Sequence, residues 1–112
     1  MPTDNLTTKN PETFKIFDAS TAHITKKDDE LIKAQVKDSF HPLIVYPYDC
    51  GYFVYVFYIE STLSEKKDEL KEYGFSQEFI NLFEIAAKSG SKFLCLDCDG
   101  PVYTDLTSIF TW

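Results

Sequence analysis

Acidic, hydroxyl and imidazole side chains stand where two predicted strands end. They are Asp18, Ser20, Thr21 and His23 after the first strand, and Asp97 and Asp99 at the end of the last. If these strands are parallel neighbours, their carboxyl ends meet at the edge where open α/β sheets bind ligands. Carboxylates and an imidazole there could bind a divalent metal ion or transfer protons. The catalytic candidates would be His23, Asp18 and Asp99, and the ligand-binding candidates Ser20, Thr21, His23, Asp97 and Asp99.

The same residues have a purely structural interpretation, which we favour. Asp18 and Ser20 could accept turn hydrogen bonds, and Asp99 with Gly100 could form a turn. His23 would then be a polar residue packed in its loop with its hydrogen bonds satisfied. On this interpretation the chain is predicted to have no metal site and no cofactor.

Cys95 and Cys98 have the CxxC spacing of redox and zinc sites. In a thioredoxin-like site such a pair lies at a helix N-terminus, whereas here it lies in a predicted strand and at its end. Zinc would need two further ligands, and the chain offers Cys50, His23 and His41. Because the total of 3 cysteines is odd, we expect reduced thiols in a cytoplasmic protein rather than a disulfide framework. Because Cys95 and Cys98 lie in a predicted strand and at its end, we expect both to be thiols packed in the core.

The charge of the chain excludes one class of partner. Its 112 residues carry 18 acidic and 11 basic side chains, the latter all lysines, for a net charge of −7. Without arginine the chain lacks the forked donor that best recognises phosphate and guanine, and its acidic field would repel a polyanion. We therefore expect no direct nucleic-acid binding; the surface suits a basic protein partner. No apolar run is long enough to cross a membrane, so no membrane association is predicted.

The elements that must position these side chains are organised around residues 43–59, LIVYPYDCGYFVYVFYI, which predict a hairpin. The reversal is expected at residues 49–51, with Gly51 in the left-handed conformation of a short turn. Pro47 either places the first strand at an edge of the sheet or ends its regular pairing, because proline has no N–H for the ladder. Residues 52–59 are all apolar or aromatic, so both faces of the second strand need cover.

The remaining predicted strands cover residues 14–17 and 92–97. The predicted helices are one at residues 26–39, a short one that is capped by Thr62 or Ser64 and ends near Tyr73, and one at residues 77–89 that is capped by Ser76. Thr25 and Asp28 have the spacing of a capping box at the first helix. Together they predict a single α/β (α+β) domain over residues 13–112, with a four-stranded mixed sheet, a central hairpin and three helices. Residues 1–12 are expected to be a flexible lead-in, and the apolar tail that ends at Trp112 should dock on the body.

The helices offer too little apolar surface to cover both faces of the sheet. Only the helix at residues 77–89 has a broad apolar stripe. If the better helices share one face, the other face stays partly uncovered and suits an interface. The set predicted to be exposed is the tyrosine-rich one: Tyr52, Val54, Val56 and Tyr58. We expect a homodimer or a partner contact through that set.

Four stretches of the chain carry a family resemblance. They are FDASTAHIT at residues 17–25, YPYDCGYFVYV at 46–56, GFSQEFINLFEIAAKSG at 74–90 and LDCDGPVYTDLTSIFTW at 96–112. Together they resemble an uncharacterised family of small bacterial proteins, a domain of unknown function often encoded on plasmids and integrative elements. Members of that family usually have arginine where this chain has Cys98. The resemblance implies an association with a mobile element and supplies no activity.

Two hypotheses from different functional classes follow. The favoured one is a small acidic, non-enzymatic binding or regulatory protein, an accessory factor of a mobile element that engages a basic protein partner. The alternative is a small metal-dependent or acid/base-dependent hydrolase, or a ligand-binding protein. It would use His23 together with Asp18, Asp97 and Asp99.

Overall fold

The sheet is built around strand β4 (Ser91–Asp97), which occupies an inner position. The computed structural model describes residues 13–37 and 42–105. The other strands are β1 (Lys15–Ser20), β2 (Val45–Tyr48) and β3 (Gly51–Tyr55). β4 pairs in parallel with β1 and antiparallel with β3, and β3 pairs antiparallel with β2. The order β1-β4-β3-β2 confirms the predicted four-stranded mixed sheet with its hairpin in a single α+β domain.

Two strands differ in length from their predictions. β1 continues to Ser20, beyond the predicted end at Phe17, because its ladder with β4 extends to the last residue of both strands. β3 ends at Tyr55 rather than at Ile59. The N–H of Val56 still donates to a β4 carbonyl, at 2.9 Å, and the chain then leaves the sheet to begin a helix.

Gly51 begins β3 at the hairpin reversal, but the prediction that it is left-handed is wrong. The positive-φ glycines among the described residues are Gly74 (φ 116°) and Gly90 (φ 83°). A Cβ atom at Gly51 would lie 1.8 Å from the backbone oxygen of Leu96. Glycine is therefore required at this position by the close approach of β3 and β4. Pro47 lies in β2, which is an edge strand, as predicted.

The three predicted helices are present as α1 (Lys26–Lys37), α2 (Glu60–Tyr73) and α3 (Gln77–Lys88). Ser76 caps α3, as predicted, because its Oγ accepts the N–H of Phe79 at 3.1 Å. The predicted caps of α2, Thr62 or Ser64, are wrong, since the helix begins at Glu60 without a side-chain cap. The Glu60 carboxylate lies in the first turn, where the helix dipole favours an anion.

Three predictions fall on residues that the structure does not describe. They concern the flexible lead-in over residues 1–12, the end of α1 at Ser39, and the docking of the tail at Trp112.

All three helices pack on one face of the sheet. Side chains alternate between the two faces along a strand. The buried sheet positions that share a core with the helices are Ala19, Val45, Tyr52, Val54, Leu94 and Leu96. The set predicted to be exposed lies on this covered side: Tyr52, Val54 and Val56 are buried, and Tyr58 packs against the core. That prediction is wrong because the helices cover the face it was expected to leave open. In the described part of the chain no helix covers the opposite face.

A buried carboxylate joins the N-termini of α1 and α3. Asp28 forms the predicted capping box with Thr25: each residue's backbone N–H donates to the other's side chain, both at 3.0 Å. The Asp28 carboxylate also accepts the Ser76 N–H at 2.9 Å and the Ser76 hydroxyl at 2.6 Å. Asp28 is fully buried, so two helix N-termini and three donors supply the stabilisation that water would otherwise give its charge.

Replacing Gly51 by alanine should destabilise the fold more than the same change at Gly90. The Gly51→Ala methyl group overlaps the Leu96 carbonyl, and separating the two strands should cost about 3 kcal/mol. Gly90→Ala meets no atom within 4 Å and should cost only about 1 kcal/mol for its left-handed backbone. Urea denaturation of the two variants measures both values. Equal losses would show that β3 and β4 can separate at little cost.

Removing the Asp28 carboxylate should be among the most damaging single changes in the helical layer. Asp28→Ala leaves the buried N–H groups of Thr25 and Ser76 without their acceptors, which should cost about 3 kcal/mol or more. Asp68→Ala, at an exposed position of α2, is the matched control and should stay within about 0.5 kcal/mol of wild type. Chemical denaturation gives both values. A loss below 1 kcal/mol for Asp28→Ala would contradict the role assigned to this carboxylate.

Candidate functional site

The carboxyl ends of β1 and β4 lie side by side because the two strands pair in parallel, which is the condition on which the sequence-based site hypothesis depended. Ser20 is the register partner of Asp97. Beyond β4 the chain crosses the end of β1, where the Ser20 N–H donates to the Pro101 carbonyl at 2.8 Å. Gly100 makes this crossing possible, since a Cβ there would lie 2.5 Å from the Ala19 oxygen. The sequence-predicted residues therefore gather at one edge of the sheet.

His23 is fully buried at this edge, in a 3-10 turn over Thr21–His23. Its Nε2 accepts the backbone N–H of Tyr103 at 2.8 Å, and the Tyr103 ring stacks on the imidazole with 5.8 Å between centroids. An Nε2 atom that accepts a hydrogen bond carries no proton, so the neutral ring is protonated at Nδ1. In this arrangement Nε2 is occupied by Tyr103, which is the contact expected of a structural histidine.

The polar residues around His23 are largely engaged in turn hydrogen bonds. The Ser20 Oγ accepts the N–H of Ala22 at 3.0 Å, and Asp97 Oδ1 accepts the N–H of Asp99 at 2.7 Å. The Gly100 N–H donates to the Asp97 carbonyl at 3.0 Å and closes the turn after β4. Among the described residues, no set of three potential metal-ligand atoms within 4.8 Å of one another includes His23. The contacts therefore give the hydrolase hypothesis no geometric support.

The three cysteines are free thiols, but they occupy two different environments. Cys95 is buried, as predicted, and burial raises the pKa of its thiol. Cys98 is exposed, so the prediction of a core thiol is wrong there, because the residue follows the end of β4 and lies in the turn. Cys50, also exposed, lies opposite Cys98, whose N–H donates to the Cys50 carbonyl at 2.9 Å.

The uncovered side of the sheet, called here the open face, is aromatic over much of its area. Its residues are Phe14, Ile16, Tyr46, Phe53, Tyr55 and Phe93. Phe93 lies at the centre, with its ring centroid 5.8 Å from those of Phe14 and Tyr55, 6.1 Å from Tyr46 and 6.2 Å from Phe53. All but Tyr55 line a shallow groove of about 320 Å³. Phe14 is 58% exposed, Tyr46 50% and Ile16 45%, so this cluster contacts solvent.

The end of the open face nearest the β1 and β4 carboxyl ends is acidic. Asp18 follows Ile16 by two residues in β1, and Asp97 follows Phe93 by four residues in β4. Because side chains alternate along a strand, both carboxylates lie on the open face. The Tyr48 hydroxyl donates to Asp97 Oδ2 and lies 3.3 Å from the Cys95 sulfur. The hydrogen bond from Tyr48 lowers the pKa of Asp97, with the Asp99 N–H as the second cause. Burial, followed by the hydrogen bond to Asp97, raises the pKa of Tyr48, so its hydroxyl stays protonated at neutral pH.

A cavity of about 610 Å³ lies at the same edge of the sheet, between α1 and the hairpin. Its walls include Asp29 and Lys33 of α1, Tyr52 of β3, and both Cys50 and Cys98. Asp29 accepts the Tyr52 hydroxyl at 3.1 Å and pairs with Lys33 at 2.9 Å. Burial, then the charge of Asp29, raises the pKa of Tyr52.

The described residues define a class: a two-layer α+β domain in which the helices of those residues cover one face of the sheet and leave the other without a helix. Residues 16–112 match the model described as "Family of unknown function (DUF5983) C-terminal domain". The chain belongs to that family, which confirms the prediction of a domain of unknown function. No match was found among curated proteins or among solved structures. No helix in the described ranges is both long and apolar enough to cross a membrane.

Replacing Tyr48 by phenylalanine should reduce the pH dependence of the protein's stability in the range below about pH 4. Because the folded-state pKa of Asp97 is lowered below its ordinary value, its contribution is present at neutral pH and is lost as pH falls below about 4. Tyr48→Phe removes the donor that is the main cause, so the melting temperature should fall at pH 7. The difference in melting temperature between Tyr48→Phe and wild type should be smaller at about pH 2 to 3, where Asp97 is protonated in both proteins.

Thermal denaturation across this pH range measures the difference. Tyr73→Phe, at an exposed position of α2, is the matched control and should differ little from wild type at any pH. A Tyr48→Phe deficit of constant size from neutral to acid pH would show that the Tyr48 hydroxyl does not act through the Asp97 charge.

Proposed function

We propose that this chain is a non-enzymatic binding protein whose open face engages a basic protein partner. The observation that carries the proposal is the aromatic cluster around Phe93, which is exposed on a regular sheet. The core lies between the helices and the covered face of the sheet, so the packing of the helices does not depend on these rings. Their presence on an uncovered surface is what an interface requires.

The composition of the open face suits protein recognition. Aromatic rings bury large areas on contact, and tyrosine adds a hydroxyl that tolerates water when the surface is free. Tyr46 and Phe14 present half or more of their surface to solvent, while Phe93 and Phe53 form the floor between them. A surface carried by paired strands is ordered before the partner arrives, so little conformational entropy is lost on binding.

Charge selects a basic partner over an acidic one. The acidic end of the open face carries Asp18 and Asp97, and the chain as a whole has a net charge of −7. Lysine or arginine side chains of a partner could reach these carboxylates while its apolar side chains contact the cluster. Lys92 lies at the opposite end, with its Nζ 5.0 Å from the Phe14 ring centroid. This polarity along the face would orient the bound segment.

The family resemblance gives the proposal a biological setting. An accessory factor of a mobile element, acting in the bacterial cytoplasm, could regulate a host protein by occupying one of its basic surfaces. The enzymatic alternative is less well supported, because His23 is buried and its Nε2 accepts the Tyr103 N–H.

Peptides selected against the 112-residue chain should combine aromatic or aliphatic anchors with lysine or arginine. The double variant Ile16→Ser/Tyr46→Ser should weaken the selected peptides at least about tenfold, since it removes two exposed anchors of the groove. Tyr73→Ser, at a similarly exposed position on the helical layer, is the control and should bind like wild type. Affinity by calorimetry and backbone NMR shift mapping provide the two measurements, and raised salt should slow association.

Three outcomes would contradict the proposal. Selected peptides could map to the helical layer or be insensitive to the double variant. Sedimentation could show a dimer that Ile16→Ser/Tyr46→Ser dissociates, which would make a second copy the occupant. NMR contacts between residues 109–112 and the Phe93 ring would assign the face to the chain's own tail.

A further inference from the structure

We propose that Cys50, Cys98 and Asp99 form a binding site for a thiophilic divalent cation, with Zn²⁺ the best fit. One ligand atom from each of these residues lies within 4.8 Å of the other two. All three side chains are exposed and can adjust to an ion. The site is separate from the open face and lies beside the cavity between α1 and the hairpin, whose walls include both cysteines.

The backbone brings these ligands together without a metal. The β3 and β4 ladder reaches Gly51 and Asp97, and the next pair along is Cys50 and Cys98. The Cys98 N–H donates to the Cys50 carbonyl at 2.9 Å, so the pair is held across the two chains. Gly51 contributes because its missing Cβ lets β3 approach the Leu96 carbonyl.

The turn after β4 places the third ligand. Asp97 accepts the N–H of Asp99 on its side chain at 2.7 Å and the N–H of Gly100 on its carbonyl at 3.0 Å. These two bonds fix the turn that carries Cys98 and Asp99. An ion would therefore order few additional backbone torsions, which favours binding.

The donor set selects the class of metal. Two cysteine sulfurs and one carboxylate suit Zn²⁺, which is usually four-coordinate and binds sulfur, nitrogen and oxygen ligands. Ca²⁺ and Mg²⁺ are hard cations that bind oxygen ligands, so the two cysteines would contribute little to binding either ion. With three protein ligands, water would complete a tetrahedral shell, as at open zinc sites.

The local charge also favours a cation. The Asp99 carboxylate places a negative charge within 4.8 Å of both cysteine ligand atoms, and Zn²⁺ binds cysteine as the thiolate. The same carboxylate would stabilise a dication once the thiols ionise. Binding should therefore release protons and weaken as pH falls.

Titration of the reduced 112-residue chain with Zn²⁺ should show saturable binding of one ion with proton release. Cys50→Ser and Cys98→Ser should each weaken it at least about tenfold, and Asp99→Asn should weaken it less. Cys95→Ser is the matched control, because that thiol is buried and outside the cluster, and it should bind like wild type. Co²⁺ should give a sulfur-to-cobalt charge-transfer band that Cys98→Ser removes.

The variants must be shown to fold, and their melting temperatures without metal provide that check because the three positions are exposed. Zn²⁺ should raise the melting temperature of wild type and of Cys95→Ser, but not that of Cys98→Ser. Absence of one-to-one binding, or binding that Cys50→Ser and Cys98→Ser leave unchanged, would overturn the proposal. A Cys50–Cys98 disulfide in oxidised protein, together with no Zn²⁺ binding by the reduced form, would overturn it as well.

Discussion

The Asp28 carboxylate is the contact on which the arrangement of the helical layer depends. It is buried between the first turns of α1 and α3, and it accepts hydrogen bonds from Thr25 and from both the N–H and the hydroxyl of Ser76. Ser76 in turn caps α3 through the Phe79 N–H. Because a buried charge is stable only with such partners, the two helix N-termini must stay together. Both helices are therefore held on the same side of the sheet.

This constraint explains why the sheet has one open face. α3 supplies the broad apolar stripe, including Phe79 and Phe83, and it covers the side that carries Val54 and Leu94. α1 is tied to that side a second time by the hydrogen bond from Tyr52 to Asp29. No helix in the described ranges remains for the other face, where aromatic side chains cover the strands instead. The core therefore lies on the helical side of the sheet, and the aromatic side chains of the open face do not contribute to it.

The sequence was informative where a local rule determines structure and uninformative where tertiary packing does. The capping box at Asp28, the cap at Ser76 and the edge strand with Pro47 each follow from the chemistry of one or two residues, and all were predictable. The orientation of β3 was not, because apolar side chains on both faces leave no alternation to indicate the covered side. In β1, Ile16 and Asp18 lie on the same face of the sheet. The predicted strand ended at Phe17, before Asp18, so this pattern could not be used to identify the open face. The pairing of Cys50 with Cys98 depended on the register of β3 and β4, which single-residue patterns do not contain.

Asp97 belongs to both surfaces for which binding is proposed. Its Oδ2 atom accepts the Tyr48 hydroxyl at the acidic end of the open face, while its Oδ1 atom and carbonyl hold the turn that carries Cys98 and Asp99. Asp97 also pairs in the β3 and β4 ladder with Gly51, the residue next to Cys50. A cation bound at either surface would lie close to this carboxylate and would change the electrostatic potential on both, because partly buried charges are screened less than exposed ones. The carboxyl edge of β4 therefore links the open face to the cysteine pair through one residue.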